Sequence, residues 1–97
     1  MGGIKNTGKV VDEDYLDFIR RQPCVGCGKA GPSDPDHLSA RGWRESKRVD
    51  WYAIPMCRTC HVERGQVGNW KFETKHGVEL WREVARYMVR YLTGGTQ

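Results

Sequence analysis

Apolar residues recur at helical spacing in two segments, one towards each end of the chain. Over residues 12–22 they predict a helix that Asp12 or Asp14 can cap and that Pro23 stops. Over residues 78–92 they recur every three or four positions, which predicts a C-terminal helix with one buried face. That predicted face consists of Trp81, Val84, Ala85, Met88 and Leu92.

Two extended segments are predicted between these helices. Pro35 disfavours helical backbone in the residue before it, so residues 36–38 should be extended. Residues 51–56 are mostly apolar and favour a strand, with Pro55 marking its end. A polar, basic loop over residues 39–50 joins the two segments, so the predicted order in this region is strand, loop, strand.

Two short helices should follow the second strand. One is predicted over residues 57–64 and should be closed by Gly65, because glycine commonly ends a helix. The other should begin with Asn69 as its cap and end at Gly77. The pattern as a whole therefore predicts an α+β fold.

The short chain limits how large a core the protein can bury. Its 97 residues are predicted to form a flexible segment over residues 1–11 and one domain over residues 12–97. The sequence has 12 glycines and few branched apolar side chains. A domain this short and rich in loops usually needs a metal ion or disulfides to stabilise it.

The charge and the absence of long apolar runs narrow the possible partners. A net charge of +4 and a pI of about 9.0 are compatible with a polyanionic partner. The first residues lack the apolar run of a secretory signal, and no stretch reaches the ~20 apolar residues of a membrane span. We therefore expect a cytoplasmic protein with no membrane partner.

The four cysteines form two C-x2-C pairs, Cys24 with Cys27 and Cys57 with Cys60. Such pairs are typical of zinc sites, in which four thiolates bind one ion tetrahedrally and stabilise the fold. A redox pair is disfavoured because no βαβ pattern surrounds either motif, and four buried free cysteines are the other alternative. The spacing therefore predicts a structural zinc site.

Asp36, His37 and His61 are the candidate reactive residues, because they lie between or directly after the cysteine pairs. An imidazole can take a proton from water, and a carboxylate can bind a hard divalent cation. Alternatively, the Asp-His dipeptide is an ordinary surface feature, and His61 is an extra zinc ligand or a donor beside the zinc. Adjacent residues on a strand point to opposite faces, so a base and a ligand from one dipeptide require a distorted or terminal strand.

Three segments carry a wider pattern: Cys24-Val-Gly-Cys27, Asp34-Pro-Asp36-His37-Leu38 and Asp50-Trp-Tyr-Ala-Ile-Pro-Met-Cys57-Arg-Thr-Cys60-His61. This pattern resembles the HNH branch of the ββα-metal (His-Me finger) endonucleases. The stretch from Ile54 to His61 and the segment NWKFETKHG over residues 69–77 are similar to phage proteins of the RecA-dependent nuclease (Ref) type. The resemblance covers roughly residues 24–77.

The resemblance implies a small ββα-metal core with a four-cysteine structural zinc, flanked by N- and C-terminal helices. It also implies that His37 is the general base that activates water. Asp36 and His61 would then hold a catalytic Mg²⁺ or another divalent cation, which acts as a Lewis acid on the scissile phosphate.

Two positions depart from the family pattern. Tyr52 stands where many members have an asparagine that orients the base, so Tyr52, Asp50 or a backbone carbonyl would have to orient His37. Gly65 stands where many members have a third metal ligand, which leaves two protein ligands plus water and suits Mg²⁺.

The loop that follows His37 is a candidate nucleic-acid interface. Arginine forks bind phosphates and tryptophan stacks on unpaired bases, whereas the alternative is a solvated loop. The candidate residues are Arg41, Trp43, Arg44, Lys47 and Arg48.

Together with these features, the resemblance implies a divalent-metal-dependent HNH endonuclease, encoded by a phage or prophage, that hydrolyses DNA phosphodiester bonds. Its expected partners are DNA and a recombination or packaging protein. One alternative is a non-catalytic four-cysteine zinc module that binds nucleic acid. Another is a zinc-stabilised adaptor for protein partners, which should show no salt-dependent affinity for DNA.

Overall fold

The computed structural model describes residues 10–39 and 48–94, and in these ranges it has an α+β fold with four α-helices and a two-stranded sheet. The elements in chain order are α1 (Glu13–Arg20), β1 (Asp34–His37), a 3-10 turn (Asp50–Tyr52), β2 (Ala53–Met56), α2 (Arg58–Val67), α3 (Asn69–His76) and α4 (Leu80–Leu92). The predicted α+β class is confirmed. None of the helices in the described ranges is long and apolar enough to cross a membrane.

Helix α1 begins where the sequence predicts. The Asp12 side chain accepts a hydrogen bond of 3.0 Å from the Tyr15 backbone N–H, which satisfies one of the free donors at the helix start. The helix ends at Arg20, two residues before the predicted end. Its buried face consists of Tyr15, Leu16, Phe18 and Ile19.

Strands β1 and β2 pair antiparallel, with His37 opposite Ala53 and Pro35 opposite Pro55. The second strand begins two residues later than predicted, because residues 50–52 form a 3-10 turn. The strand ends at Met56, which is the predicted last residue and lies directly after Pro55. A proline is accommodated inside a strand where its missing N–H would not face the partner strand.

Helix α2 begins after Cys57, whose sulfur accepts the Cys60 backbone N–H at 3.4 Å. The prediction that Gly65 closes this helix was wrong, because the helix continues to Val67. The chain turns instead at Gly68, whose φ of 88° lies in the region that favours glycine. Helix α3 ends at Gly77 as predicted, but Asn69 is its first residue and not a side-chain cap.

Helix α4 buries a different face from the predicted one. Leu80, Val84 and Tyr87 are buried, whereas Trp81 is 38% exposed and Leu92 is 76% exposed. The helix packs against β2, the 3-10 turn and α1, and their positions select the stripe that begins at Leu80. Ala85 is also exposed, so of the predicted face Val84 is buried and Met88 is partly buried.

The main core surrounds the cysteines. Cys24, Cys57 and Cys60 pack with apolar side chains from β2, α3 and α4, including Ile54 and Phe72, and with Leu38 directly after β1. A second cluster joins α1 to α4 through Tyr15, Phe18, Ile19 and Tyr87. The cysteine site is therefore part of the packing that holds the sheet and helices together.

Candidate functional site

All four cysteines are free thiols whose sulfur atoms lie within 4.8 Å of one another. The sulfurs of Cys27 and Cys57 are 3.8 Å apart. Four sulfurs bound tetrahedrally at ~2.3 Å from a zinc ion would be separated by about the same distance. The four cysteines are therefore close enough to hold one metal ion, as the sequence predicts.

The turn between Cys24 and Cys27 requires a residue without a side chain. A Cβ atom added at Gly26 would lie 2.7 Å from Phe72 Cζ and 3.0 Å from the Cys60 sulfur. Glycine at this position therefore lets the turn approach α2 and α3 closely enough for the cysteine pairs to meet. The Val25 backbone N–H binds the Pro55 carbonyl at 2.9 Å, which attaches the same turn to β2.

The thiols differ in how easily they lose a proton. Burial raises the pKa of Cys24, but hydrogen bonds from backbone groups, including those of Cys27 and Gly26, outweigh it and leave the pKa at about 7. Burial raises the pKa of Cys60, and the neighbouring thiols raise it further. A lowered pKa favours the thiolate form of Cys24, which is the form that binds a cation.

Asp36 is buried, and its side chain contacts helix α2. Arg64 forms a bidentate pair with this carboxylate: its Nε lies 2.7 Å from Oδ2 and its Nη2 lies 2.7 Å from Oδ1. His61 Nε2 lies 3.6 Å from Oδ1 of the same carboxylate. Asp36 and His61 therefore lie close together, as the resemblance implies. Arg64, which was not predicted, binds both oxygens of the same carboxylate.

The position of Arg64 in the sequence contains the signal that could have revealed it. Arg64 lies three residues after His61, and residues spaced by three or four share one face of a helix. A basic side chain next to His61 on that face could have been expected to reach the same acidic strand.

His61 also contacts the start of β1. Its Nδ1 lies 3.2 Å from Asp34 Oδ2, and Arg58 Nε binds the same oxygen at 2.8 Å. The hydrogen bond from Arg58 lowers the pKa of Asp34, although burial raises it in part. His61 does not belong to the group of four cysteines. Its polar partners are the carboxylates of Asp34 and Asp36.

His37 binds a different acid from the one beside it in the chain. Its Nε2 lies 2.8 Å from Oδ1 of Asp50, which is fully buried. Arg48 Nε contacts the same oxygen at 2.7 Å, and the Asp12 backbone N–H donates to Oδ2 at 2.7 Å. Burial raises the pKa of Asp50, but hydrogen bonds from Arg48, Asp12 and His37 outweigh it and lower the pKa. Of the three groups suggested to orient His37, Asp50 is the one in contact.

Most of the predicted nucleic-acid interface lies outside the described residues, namely Arg41, Trp43, Arg44 and Lys47. Arg48 is described, and its guanidinium pairs with Asp50 and lies 3.8 Å from Glu13. Its predicted contact with nucleic acid stays a prediction.

A second group of potential ligands was not predicted from the sequence. Cys60, Glu63 and His76 bring one ligand atom each within 4.8 Å of the others. His76 Nε2 lies 2.9 Å from one Glu63 oxygen, and Lys75 Nζ lies 2.6 Å from the other. Cys60 belongs to both groups, so the two sets of potential ligands share one sulfur atom.

Comparison with known protein families shows which family the chain belongs to. A family model described as "Protein of unknown function (DUF968)" matches residues 5–93, so the chain belongs to the DUF968 family. Comparisons with curated proteins and with solved structures gave no match. The family match spans both cysteine pairs and every acid and histidine of the site, but its description assigns no activity.

Proposed function

We propose that this protein is a divalent-metal-dependent endonuclease of the HNH type that hydrolyses DNA phosphodiester bonds. One observation carries the proposal. The hairpin of β1 and β2 places His37 in contact with the buried carboxylate of Asp50. Helix α2, which follows the hairpin, places His61 within 3.6 Å of the buried carboxylate of Asp36. The cysteine group is attached to the same hairpin and helix.

The hydrogen bond to Asp50 decides which nitrogen of His37 can act as a base. The lowered pKa of Asp50 keeps its carboxylate ionised at neutral pH, and an ionised carboxylate only accepts hydrogen bonds. His37 Nε2 must therefore carry the hydrogen, which leaves Nδ1 with a lone pair. In the proposed reaction, Nδ1 accepts the proton of the attacking water.

The residues around Asp36 would hold the catalytic cation. Two ligand atoms 3.6 Å apart, Asp36 Oδ1 and His61 Nε2, are close enough to bind the same ion. A divalent cation bound there would supply Lewis-acid stabilisation of the negative charge on the phosphate. The four cysteines would bind a structural zinc, whose role is to fix the start of α2 and therefore the direction of His61.

The proposal is tested by incubating plasmid DNA with the zinc-loaded protein in Mg²⁺, Mn²⁺ or EDTA. We expect nicking or linearisation with the divalent ions and none with EDTA. His37→Ala should reduce the rate by about 10²–10⁴-fold, because it removes the general base. Zinc content and the helical circular dichroism spectrum serve as controls for folding and should stay nearly unchanged. The melting temperature should fall, because the variant loses the hydrogen bond to the buried Asp50 carboxylate. Wild-type rates in His37→Ala would remove His37 from the mechanism.

The contact of Arg64 with Asp36 favours one second candidate, a zinc module that binds nucleic acid without cutting it. In that case the Arg64–Asp36 pair is a permanent structural contact, and no divalent ion is needed. This candidate predicts salt-dependent DNA binding with no cleavage in any metal, and with His37→Ala binding as tightly as the wild type.

A further inference from the structure

Arg64 is fixed by three polar contacts in a largely buried position. Nε and Nη2 bind the two oxygens of Asp36, and Nη1 donates to Asn69 Oδ1 at 2.6 Å. The arginine side chain is 18% exposed and that of Asp36 only 2%. A two-pronged pair between arginine and a carboxylate is among the strongest hydrogen-bonded contacts in proteins.

This geometry conflicts with direct metal binding by Asp36. Both carboxylate oxygens already accept hydrogen bonds from a cation, and the guanidinium repels a second cation brought to the same oxygens. His61 Nε2 approaches the oxygen that Arg64 Nη2 binds. An ion shared by Asp36 and His61 would therefore have to take the place of at least one arm of the fork.

We propose that Arg64 is the resident cation of the Asp36 carboxylate and controls access of divalent metal to the site. A divalent ion binds Asp36 and His61 only after Arg64 has left the carboxylate, so the arginine lowers the metal affinity of the resting protein. This inference rests on the proposed function, since it concerns the same site. It adds a residue that sets the metal requirement without itself binding the metal.

Asn69 provides a second way to test the idea without removing the charge. It is the first residue of α3 and holds the third nitrogen of the fork, so it keeps the guanidinium turned towards Asp36. Asn69→Ala should let Arg64 leave more readily, whereas Arg64→Gln removes the competing cation altogether.

The experiment measures Mn²⁺ binding to zinc-loaded protein by electron paramagnetic resonance, without DNA. Arg64→Gln should bind Mn²⁺ at least about tenfold more tightly than the wild type, a difference of ~1.4 kcal/mol. Asn69→Ala should change the affinity in the same direction by a smaller factor. Arg82→Gln removes an equal charge from an exposed position and should change nothing. Adding Asp36→Asn to Arg64→Gln should abolish the gain.

Thermal unfolding supplies a readout independent of activity. Without its arginine, the buried Asp36 carboxylate loses the guanidinium that binds both of its oxygens, so Arg64→Gln should melt below the wild type in the absence of Mn²⁺. Added Mn²⁺ should raise its melting temperature more than that of the wild type, because the ion binds the folded state. If Arg64→Gln does not fold, the affinity of Asn69→Ala decides the question.

Equal Mn²⁺ affinity in the wild type, Arg64→Gln and Asn69→Ala would overturn the inference. Failure of the proposed function gives a different result. In that case the Mn²⁺ affinities follow the predicted order, but no variant cleaves plasmid and His37→Ala makes no difference.

Discussion

Asp50→Asn is the substitution that most directly tests how His37 is held. The buried carboxylate receives hydrogen bonds from the His37 ring, the Asp12 backbone and the Arg48 guanidinium. Asparagine has nearly the same shape but no charge, and one of its two terminal atoms is a donor. Its single oxygen can keep either the contact with the Asp12 backbone or the contacts with His37 and Arg48, and the loss of charge weakens whichever contact remains.

The expected loss of stability is worked from the contacts with His37 and with the Asp12 backbone, because the third partner, Arg48, has a side chain that is 46% exposed. A hydrogen bond to a charged group contributes ~1.5–3 kcal/mol and a neutral one ~0.5–1.5 kcal/mol. Weakening one contact and losing the other should lower the free energy of unfolding by about 1–3 kcal/mol. For a chain of this length, each kcal/mol corresponds to roughly 4–8 °C in melting temperature.

The assay is urea unfolding of zinc-loaded protein, combined in a double-mutant cycle with His37→Ala. A coupling of about 1 kcal/mol or more is expected, because the two side chains are in direct contact. Asp17→Asn is the matched control, since Asp17 forms an exposed pair with Arg20, and it should change stability by less than ~0.5 kcal/mol. In the plasmid assay, Asp50→Asn should lower the cleavage rate when it is introduced into the wild type. It should not lower the rate further when it is introduced into the His37→Ala variant. Additive effects on stability and activity would refute the assignment of Asp50 as the group that positions His37.

Four further predictions concern the stability of the fold, its dependence on metal and its dependence on pH. Gly26→Ala should destabilise the fold by ~1–3 kcal/mol, because its Cβ would lie 2.7 Å from Phe72 Cζ. Gly65→Ala should instead stabilise it by ~0.5–1 kcal/mol, because it lies inside α2 with nothing within 4 Å of its added Cβ. A strong chelator should remove metal from the four cysteines and cause loss of helical circular dichroism, and an unchanged spectrum in the metal-free protein would count against a structural ion. Because the pKa of Asp50 is lowered in the folded protein, its contribution is complete above its unfolded pKa of ~3.9 and is lost as the pH falls through the lower folded value. The stability difference between wild type and Asp50→Asn should therefore shrink as the pH falls below ~4, and a difference that does not change below about pH 4 would contradict it.

Elements governed by local signals could be predicted from the sequence. The start of α1 depends on Asp12 and on the apolar spacing that follows, and both act within a few residues. The end of α3 depends on Gly77, whose φ of 69° favours glycine. The grouping of the cysteines was also predictable, because two C-x2-C pairs have few other uses in a chain of this kind.

Elements decided by packing between distant segments could not be predicted in the same way. Either Gly65 or Gly68 could have ended α2, and local propensity does not choose between them. Leu80 and Trp81 begin two adjacent apolar stripes on α4, and only the positions of β2 and α1 determine which stripe is buried. The apolar spacing was therefore sufficient to predict this helix but not its orientation.

The polar contacts of the site show the same limit. Asp36 and Arg64 are 28 residues apart in the chain, and Asp50 and Asp12 are 38 apart. Their pairing depends on the fold that brings β1 beside α2 and the chain before α1 beside the 3-10 turn. Sequence spacing identified the candidate acids and histidines, but it did not identify the partners that hold them.

The pairing of Pro35 with Pro55 affects whether the sheets of two copies of this protein can join at their edges. The two prolines lie opposite each other in the sheet. At such a position, residues with an N–H would point it outwards, towards any added strand. Neither residue has an N–H, and the outward Pro55 carbonyl is already bound by Val25. Both edges of the hairpin therefore lack a donor at this position, which protects the sheet from extension into intermolecular aggregates.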